Sequence, residues 1–522
     1  MAETRFAFEV PRRQHAVGLL VLVGWQAQVM LRAAWPILIA AYVQQEEDAK
    51  YFAWAMGAGA VLTVLGAVLH FWRFSFNVKD GKFHVHKGIF VREKINIPLE
   101  RVQAVHVEQN LIQRVFGVCG LRVDTAGSSG SELRIHALKW DEAQALREML
   151  TAEEAPAETA AEDTPASERT TKTRATTTRP PLLELDVRTL LKVGLSQNHL
   201  AKVAFAIGGL VTFQGVAWEV VAEIWARVPG LWRAVLLFLS PLILIMSPFV
   251  IATVAVAISL VTSVLKHWQM RLWVEGSRAK RTAALHLTQG LLKRQSMQIP
   301  LHKVQWVMWE STWIRRLFSM DTVHIRQAAA GGAVDASQAR NDGMDGGGGM
   351  KMGIPAMNSV RTRRLEALLF PSWPERRLVT LRPVKYAFWI RWVKRGVMLT
   401  PLAVGAGWTL GVGWGVAMGA ICWSWVGWMS RKVYRGQWAT TDGRHVSAHR
   451  GWLFRRSVMI DWTKLQAVQL TQNRIHDRRG VAHLTFHTSS GVAQLNYLPT
   501  DVARDLRDLS MSRVVSHDGS WM

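Results

Sequence analysis

The stretch Lys87 to Val105 reads KGIFVREKINIPLERVQAV. Its skeleton returns as QGLLKRQSMQIPLHKVQWV from Gln289 to Val307 and as RGWLFRRSVMIDWTKLQAV from Arg450 to Val468. In each copy a glycine (Gly88, Gly290, Gly451) is followed four residues later by arginine (Arg92, Arg294, Arg455) and nine residues later by isoleucine (Ile97, Ile299, Ile460). A skeleton that returns at fixed offsets marks one supersecondary unit present in several copies. A chain of 522 residues has room for three such units of about 80 residues each, with other segments between them.

Around the first copy, FNVKDGKFHVHKGIFV, KINIPLERVQAVHVEQ, LRVDTAG and ELRIHAL alternate apolar and polar residues. They are broken by Asp80-Gly81, Gly88 and Ser128 to Gly130, the period-2 pattern of antiparallel strands with one buried face. The period then changes: WDEAQALREML places Ala143, Leu146, Met149 and Leu150 at helical spacing behind Asp141. About six or seven strands closed by a helix make a small barrel or sandwich. Val360 to Phe370 and Asp501 to Leu509 supply the closing helices of the other copies. LIQRVFG (Leu111 to Gly117), WIRRLFS (Trp313 to Ser319) and RIHDRRG (Arg474 to Gly480) fall at one offset from the turn glycine. The third copy lacks the Phe and the Ile-Pro proline of the other two.

Ahead of each unit lie apolar runs: Ala16 to Val43, Tyr51 to Trp72, Leu200 to Trp225, Leu231 to Leu265 and Gly396 to Trp428. A bilayer core needs about 20 helical residues, so four runs are long enough for one crossing, and the fifth for two short ones around a turn near Ala406 to Val412. The expectation is about six transmembrane helices in three hairpins. The first run is too long for a signal peptide and has no small-residue cleavage site after it, so it reads as an anchor. Several of the 25 tryptophans sit near run ends (Trp25, Trp35, Trp54, Trp72, Trp218, Trp225, Trp232, Trp425, Trp428), where a bilayer interface favours them.

The formal charge of +24 is placed for topology rather than for nucleic acid, which is not expected as a partner. Between Arg361 and Arg395 stand ten Lys or Arg against two Glu. Arg12, Arg13, Arg73, Lys266, Arg271, Arg431, Lys432 and Arg435 flank the other runs, whereas the connection Gln44 to Lys50 is acidic. Positive-inside bias thus puts both termini and all long segments in the cytoplasm. Two cysteines, Cys119 and Cys422, supply neither a disulfide framework nor a thiolate metal site.

The expected organisation follows. Residues 1–72 are a tail and the first hairpin, 73–150 the first strand-rich domain, and 151–198 a disordered linker and lead-in with no apolar residue larger than Ala or Pro between Thr151 and Pro181. Residues 199–268 are the second hairpin and 269–370 the second domain, interrupted by a Gly/Met/Asp-rich insertion at 331–353. Residues 371–430 are a basic juxtamembrane segment and the third hairpin, 431–510 the third domain, and 511–522 a tail.

The Gly-φ-φ-x-Arg turn, IPLERVQAV, QRVFG, the VDTAG strand and the helix after Leu138, in an order that occurs three times, resemble the bacterial PH-domain (bPH2, YdbS/YdbT-like) membrane proteins. The resemblance covers nearly all of the chain apart from the linker, the insertion and the tail. It implies a multi-pass protein of the bacterial cytoplasmic membrane in which helical hairpins alternate with three cytoplasmic PH-like β-barrel domains.

The candidate sites are few. His84 and His86 share a strand face but lack a third ligand, so no metal or other cofactor is expected. Arg32 and Glu219, inside apolar runs, either pair with each other or snorkel toward the outer surface. Gly407, Gly411, Gly415 and Gly419 repeat every four residues, a spacing for close helix packing within a bundle or at an oligomer seam. A strand that rises from a bilayer must be followed by one that descends. Gly88, Gly290 and Gly451 would therefore turn toward the membrane, presenting Phe90, Leu292 and Leu453 to acyl chains and Arg92, Arg294 and Arg455 to lipid phosphates. The competing expectation is a turn that only packs the barrel on its own hairpin, with Arg capping carbonyls.

No GxSxG, Walker, HExxH or paired-carboxylate signature points to an enzyme. The sequence reads as a non-enzymatic scaffold that binds lipid, anionic lipid included, or protein, either a small PH-domain membrane partner or a second copy. The alternative is a transport or export factor using the six-helix bundle, with Gln26, Gln28, Arg32, Glu219 and Glu223 as its polar path.

Overall fold

The computed structural model describes residues 8–24, 49–88, 92–125, 133–151, 181–197, 226, 229–276, 283–327, 351–371, 373 and 378–516. The same element order occurs three times. In the first copy a short strand β1 (Arg12–Arg13) precedes helix α1 (Ala49–Arg73). Then come β2 (Ser75–Lys79), β3 (Lys82–Lys87) and β4 (Glu93–Pro98), a 3-10 turn at Leu99–Arg101, β5 (Val102–Asn110), the five-residue helix α2 (Leu111–Val115), β6 (Val118–Thr125), β7 (Leu133–Lys139) and α3 (Trp140–Thr151).

The second copy runs β8 (Leu183–Glu184), α4 (Val187–Leu195), α5 (Gly230–His267), β9 (Arg271–Glu275), β10 (Ala284–Gln289), β11 (Lys293–Pro300), β12 (Val304–Thr312), α6 (Trp313–Leu317), β13 (Asp321–Gln327), β14 (Lys351–Met357) and α7 (Ser359–Leu369). The third runs β15 (Val379–Leu381), α8 (Tyr386–Leu410), α9 (Val412–Arg435), β16 (Trp438–Thr441), β17 (His445–Arg450), β18 (Phe454–Asp461), β19 (Ala467–Thr471), α10 (Arg474–Arg478), β20 (Val481–Thr488), β21 (Gly491–Pro499) and α11 (Thr500–Val515).

Small sequence features set this local structure. Each five-residue helix begins after a residue that favours an N-cap. Asn110 forms a capping box with Gln113, Thr312 accepts from the Arg315 amide, and Asn473 accepts from the His476 amide. Each 3-10 turn is tied to the preceding hairpin by one backbone bond: Leu99 N to Gly81 O, Leu301 N to Ala283 O, and Trp462 N to Arg444 O, at 2.9–3.0 Å.

Strand pairing does not follow the copies. The sheets are β1-β2-β3-β4, then β7-β6-β5-β11-β10-β9-β8, then β14-β13-β12-β18-β17-β16-β15, and last β19-β20-β21. The second half of one copy thus continues into the first half of the next. The seams are antiparallel, Lys293 to Ser296 against Asn110 to Val107 and Trp306 to Thr312 against Ile460 to Phe454. In chain order, the lead strands β1, β8 and β15 lie before the helices, yet each pairs with the strand after them.

The described residues fall into two compact units, and the second copy is divided between them. In the first unit Phe74, Phe76, Phe83, Val105, Leu121, Ile135, Leu146 and Leu150 form the core. In the second, Val446, Ile460, Trp462, Leu484, Phe486 and Leu506 of the third copy pack with Trp306 and Met308 of the second.

The expectation of about six transmembrane helices in three hairpins is overturned. Among the described residues one helix is long and apolar enough to cross a membrane, Phe249–His267 within α5; the apolar part of α1, Gly57–Arg73, is shorter. Helices α8 and α9 are long and form an antiparallel pair, but their apolar run is rich in Gly and Trp and is flanked by Arg391, Lys394, Arg395, Arg431 and Lys432. Such residues lengthen an apolar-looking run while adding little transfer hydropathy. Residues 25–48 and 198–225, which carry much of two other expected spans, lie outside the described residues.

Candidate functional site: the recurring turn and a basic cleft

The three turn glycines have φ of 103°, 105° and 99° at Gly88, Gly290 and Gly451. A Cβ at Gly290 would lie 2.0 Å from the Lys293 carbonyl oxygen, and one at Gly451 would lie 1.9 Å from that of Phe454. Only glycine allows the chain to close so tightly on itself.

The turn rests on the end of an apolar helix. The Gly290 amide donates to Trp268 O at 3.0 Å and the Leu291 amide to Leu265 O at 2.9 Å, joining the turn to the last residues of α5 and the residue after it. In the third copy Gly436, just past α9, lies so close to the Gly451 carbonyl that an added Cβ would be 2.4 Å from it. Carbonyl capping also occurs, through an arginine that the repeat skeleton does not contain. Arg316 of α6 donates through Nη2 to the carbonyls of Trp452 and Leu453, at 3.1 and 3.3 Å.

The three skeleton arginines do not share a role. Arg92 is exposed. The Arg294 guanidinium lies over the Trp140 ring, 5.5 Å from its centroid, beside a 2.7 Å ion pair from Lys293 to Glu108. Arg455 lines a cleft. Leu292 and Leu453 fall in their turns, Leu292 exposed and Leu453 half-buried, while Phe90, Arg32 and Glu219 lie outside the described residues. Gly407 and Gly415 face each other across the α8–α9 hairpin, where a Gly415 Cβ would be 2.7 Å from the Gly407 Cα. Gly411, at φ 102°, makes the turn between the two helices, and Gly419 faces Ala403.

Beside each seam an apolar surface stays open. Leu111, Ile112, Val115 and Phe116 of and after α2 are exposed, Val115 at 82%, as are Leu291 and Leu292. Pairing of Asn110 with Lys293 sets these groups side by side. At the other seam, pairing of Thr312 with Phe454 brings exposed Trp313 of α6 beside exposed Phe454.

The cleft has a volume of about 530 Å³ and is lined by Lys432 and Arg435 of α9, Arg450 of β17, Arg455 and Arg456 of β18, and by His449, Trp438 and Trp452. His449 is stacked on Trp438 with centroids 3.5 Å apart. Its ring nitrogens bond the Ser447 and Ser457 hydroxyls at 3.2 and 2.6 Å. Burial lowers its pKa to about 4, so it is neutral at pH 7. Lys432 stands over the rings of Trp428 and Trp452 at 5.7 and 6.0 Å. Desolvation and the like charge of Arg456 lower the Arg450 pKa, although Arg450 remains exposed by surface area. Glu310 approaches Arg456 at 3.9 Å, and the lining residues themselves include no carboxylate.

The other polar clusters are built into the fold. Buried His445 is bonded to Asp442 at 2.9 Å and lies 3.7 Å from Asp461, in the β16–β17 turn. His84 bonds Asn96 at 2.7 Å, and among the described residues no group of three His, Cys, Asp or Glu is arranged to hold a metal. Burial pushes the Cys119 thiol up to about 12, far from the range of a reactive thiolate.

Four strands and then three strands closed by a helix recur three times along the chain, with the sheets shared between successive copies. The Bacterial PH domain family model matches residues 19–154, 228–347 and 386–514, and the chain belongs to that family. It is similar to the UPF0699 transmembrane protein YdbT of Bacillus subtilis, 21% identical over 326 residues that cover 62% of this chain and 63% of that protein. It is also similar to the UPF0699 transmembrane protein YdbS of the same organism, 27% identical over 99 residues, 19% of this chain and 59% of YdbS. The chain thus spans under two thirds of the length of either relative. No solved structure matches it.

Proposed function

We propose that the protein is a non-enzymatic scaffold of the bacterial cytoplasmic membrane whose PH-like modules bind lipid or protein at the headgroup layer. The observation that carries this reading is the junction of the Gly290 turn with the end of α5. If Phe249–His267 crosses the bilayer, the turn emerges at headgroup depth, where exposed Leu291, Leu292 and the apolar face of α2 meet acyl chains beside Lys293. The names of the two relatives as transmembrane proteins support the membrane assignment.

Leu183 pairs with Leu272, so the chain leaves its sheet after α4 and rejoins it after α5 on the same side of any membrane. The positive charge at both ends of this excursion favours the cytoplasm for the strands.

Washing membranes that contain the intact protein with alkaline carbonate tests the anchor, and mass spectrometry of the detergent-purified protein tests the scaffold. Retention in the pellet, with phospholipid and a second copy or a small PH-domain partner in the eluate, is the expected result. Release by carbonate would overturn it.

A further inference from the structure

We propose that the cleft at Gly451 binds a phosphate-bearing anion, held by Arg450, Arg455, Arg456, Lys432 and Arg435. The site deepens the scaffold reading and rests on it only where the anion is a lipid headgroup.

The first argument is electrostatic. Five Lys and Arg side chains line one concave site whose lining includes no carboxylate, with Glu310 3.9 Å from Arg456. Like charges gathered in partly desolvated space oppose one another, and a bound anion relieves that opposition. Lys432 and Arg435 also complement the C-terminal end of the α9 dipole. Arg450 ends β17 and Arg455 and Arg456 begin β18, so the three arginines sit on strands on either side of the tight turn.

The second argument is chemical. Arginine presents paired donors that match the oxygens of a phosphate, and three arginines on adjacent strands can approach one group from several directions. His449 is neutral near pH 7 and held by two hydroxyls, so it adds no charge and serves as a wall. A volume of about 530 Å³ exceeds what a lone phosphate needs. Trp438 and Trp452 give that extra space an apolar lining suited to the glycerol or organic part of a phosphate ester. The cleft also adjoins the end of α9, whose exposed Trp425 and Trp428 suit an interfacial depth.

The test uses the intact protein in phosphatidylcholine nanodiscs titrated with inorganic pyrophosphate, and in nanodiscs containing phosphatidylglycerol, with retained lipid counted by native mass spectrometry. Wild-type protein and Arg92→Gln, which alters the equivalent turn away from the cleft, are expected to bind at least one probe. Arg450→Gln with Arg455→Gln is expected to bind it at least tenfold more weakly. Pyrophosphate binding without phosphatidylglycerol retention assigns a soluble phosphate ester, and the reverse assigns a lipid headgroup. Should the double variant not fold, Lys432→Gln is expected to melt as wild type and bind two- to threefold more weakly. Equal binding by the variants, or no binding of either probe by wild type, overturns the site. Retention of the protein in carbonate-washed membranes together with that negative result would leave the scaffold reading standing. Release by carbonate with pyrophosphate binding intact would remove the scaffold reading and leave the site.

Discussion

Gly290 and Gly451 combine a φ near +100° with a carbonyl oxygen where a side chain would begin, whereas Gly81 and Gly443, at φ 65° and 80°, face open space. Alanine at Gly81 or Gly443 should therefore cost only the left-handed backbone, of order 1 kcal/mol. Alanine at Gly290 or Gly451 adds a contact that the backbone must move to relieve, and a loss of roughly 3 kcal/mol or more is expected. Thermal melts of the four variants decide this; equal losses would mean the turn adapts. The spacing of the repeat made these glycines legible, because φ > 0 is a demand that one residue type meets. The cleft was only partly legible: Arg455 stood out as a candidate phosphate contact through the repeat, but Lys432 read as a topology signal, and Arg450 and Arg456 carried no signal until the fold gathered them.

Histidine charge gives a second expectation at this scale. Burial lowers His106 to about 3, aided by Arg122 and Arg147, and His449 to about 4; His483 falls to about 4 by burial and the nearby His476. A base whose folded pKa lies below its unfolded value of about 6.5 folds preferentially when neutral. Its contribution is complete above pH 6.5 and is lost as pH falls from there toward the folded value. The limiting slope is about 1.4 kcal/mol per pH unit for each such group, less for the half-exposed His483. The melting temperature should fall between pH 7.5 and 5, and fall less in His449→Gln. A melting temperature that is flat or rises over that range would contradict the assignment.

Among elements, the sheet seams are what sequence reasoning missed. Period-2 alternation identifies strands but not their neighbours, and adjacent strands such as β4 and β5 are the natural first guess as partners. The 3-10 turn at Leu99–Arg101 redirects the chain instead, so β5 pairs with β11 and, in the next copy, β12 with β18. Arg316 fastens the second seam through its bonds to Trp452 and Leu453. Charged donors to carbonyls contribute more than neutral ones, but Arg316 is partly exposed, so Arg316→Ala is expected to cost about 1–2 kcal/mol. Hydrogen exchange at the amides of residues 452–456 should speed up with it. Unchanged exchange there would show that the turn holds itself.

For the molecule as a whole, the unit that folds is not the unit that repeats. Trp306 and Met308 belong to the second copy by sequence, yet both are fully buried in the core of the third. Strand β12 of the second copy and the third copy's lead strand β15, which lies before α8 in the chain, also flank β16 to β18 in one sheet. A fragment of residues 431–516 would lose both partners, open the β18 edge where Val458 and Ile460 sit, and leave a hole where Trp306 packs. Removing a buried tryptophan costs about 3–5 kcal/mol, and two lost strand partners add to it, against a typical total stability of about 5–15 kcal/mol. That fragment is expected to aggregate or melt without a cooperative transition. A fragment from residue 299 to 516, which retains β12 to β21 and the α8–α9 hairpin, is expected to melt cooperatively in the same detergent. In the intact chain, Trp306→Ala should destabilise the third copy, seen as faster exchange in β20 and β21, although the substitution lies in the second copy's sequence. Cooperative melting of 431–516 at the temperature of the longer fragment would show that the shared sheet and the borrowed tryptophan are dispensable.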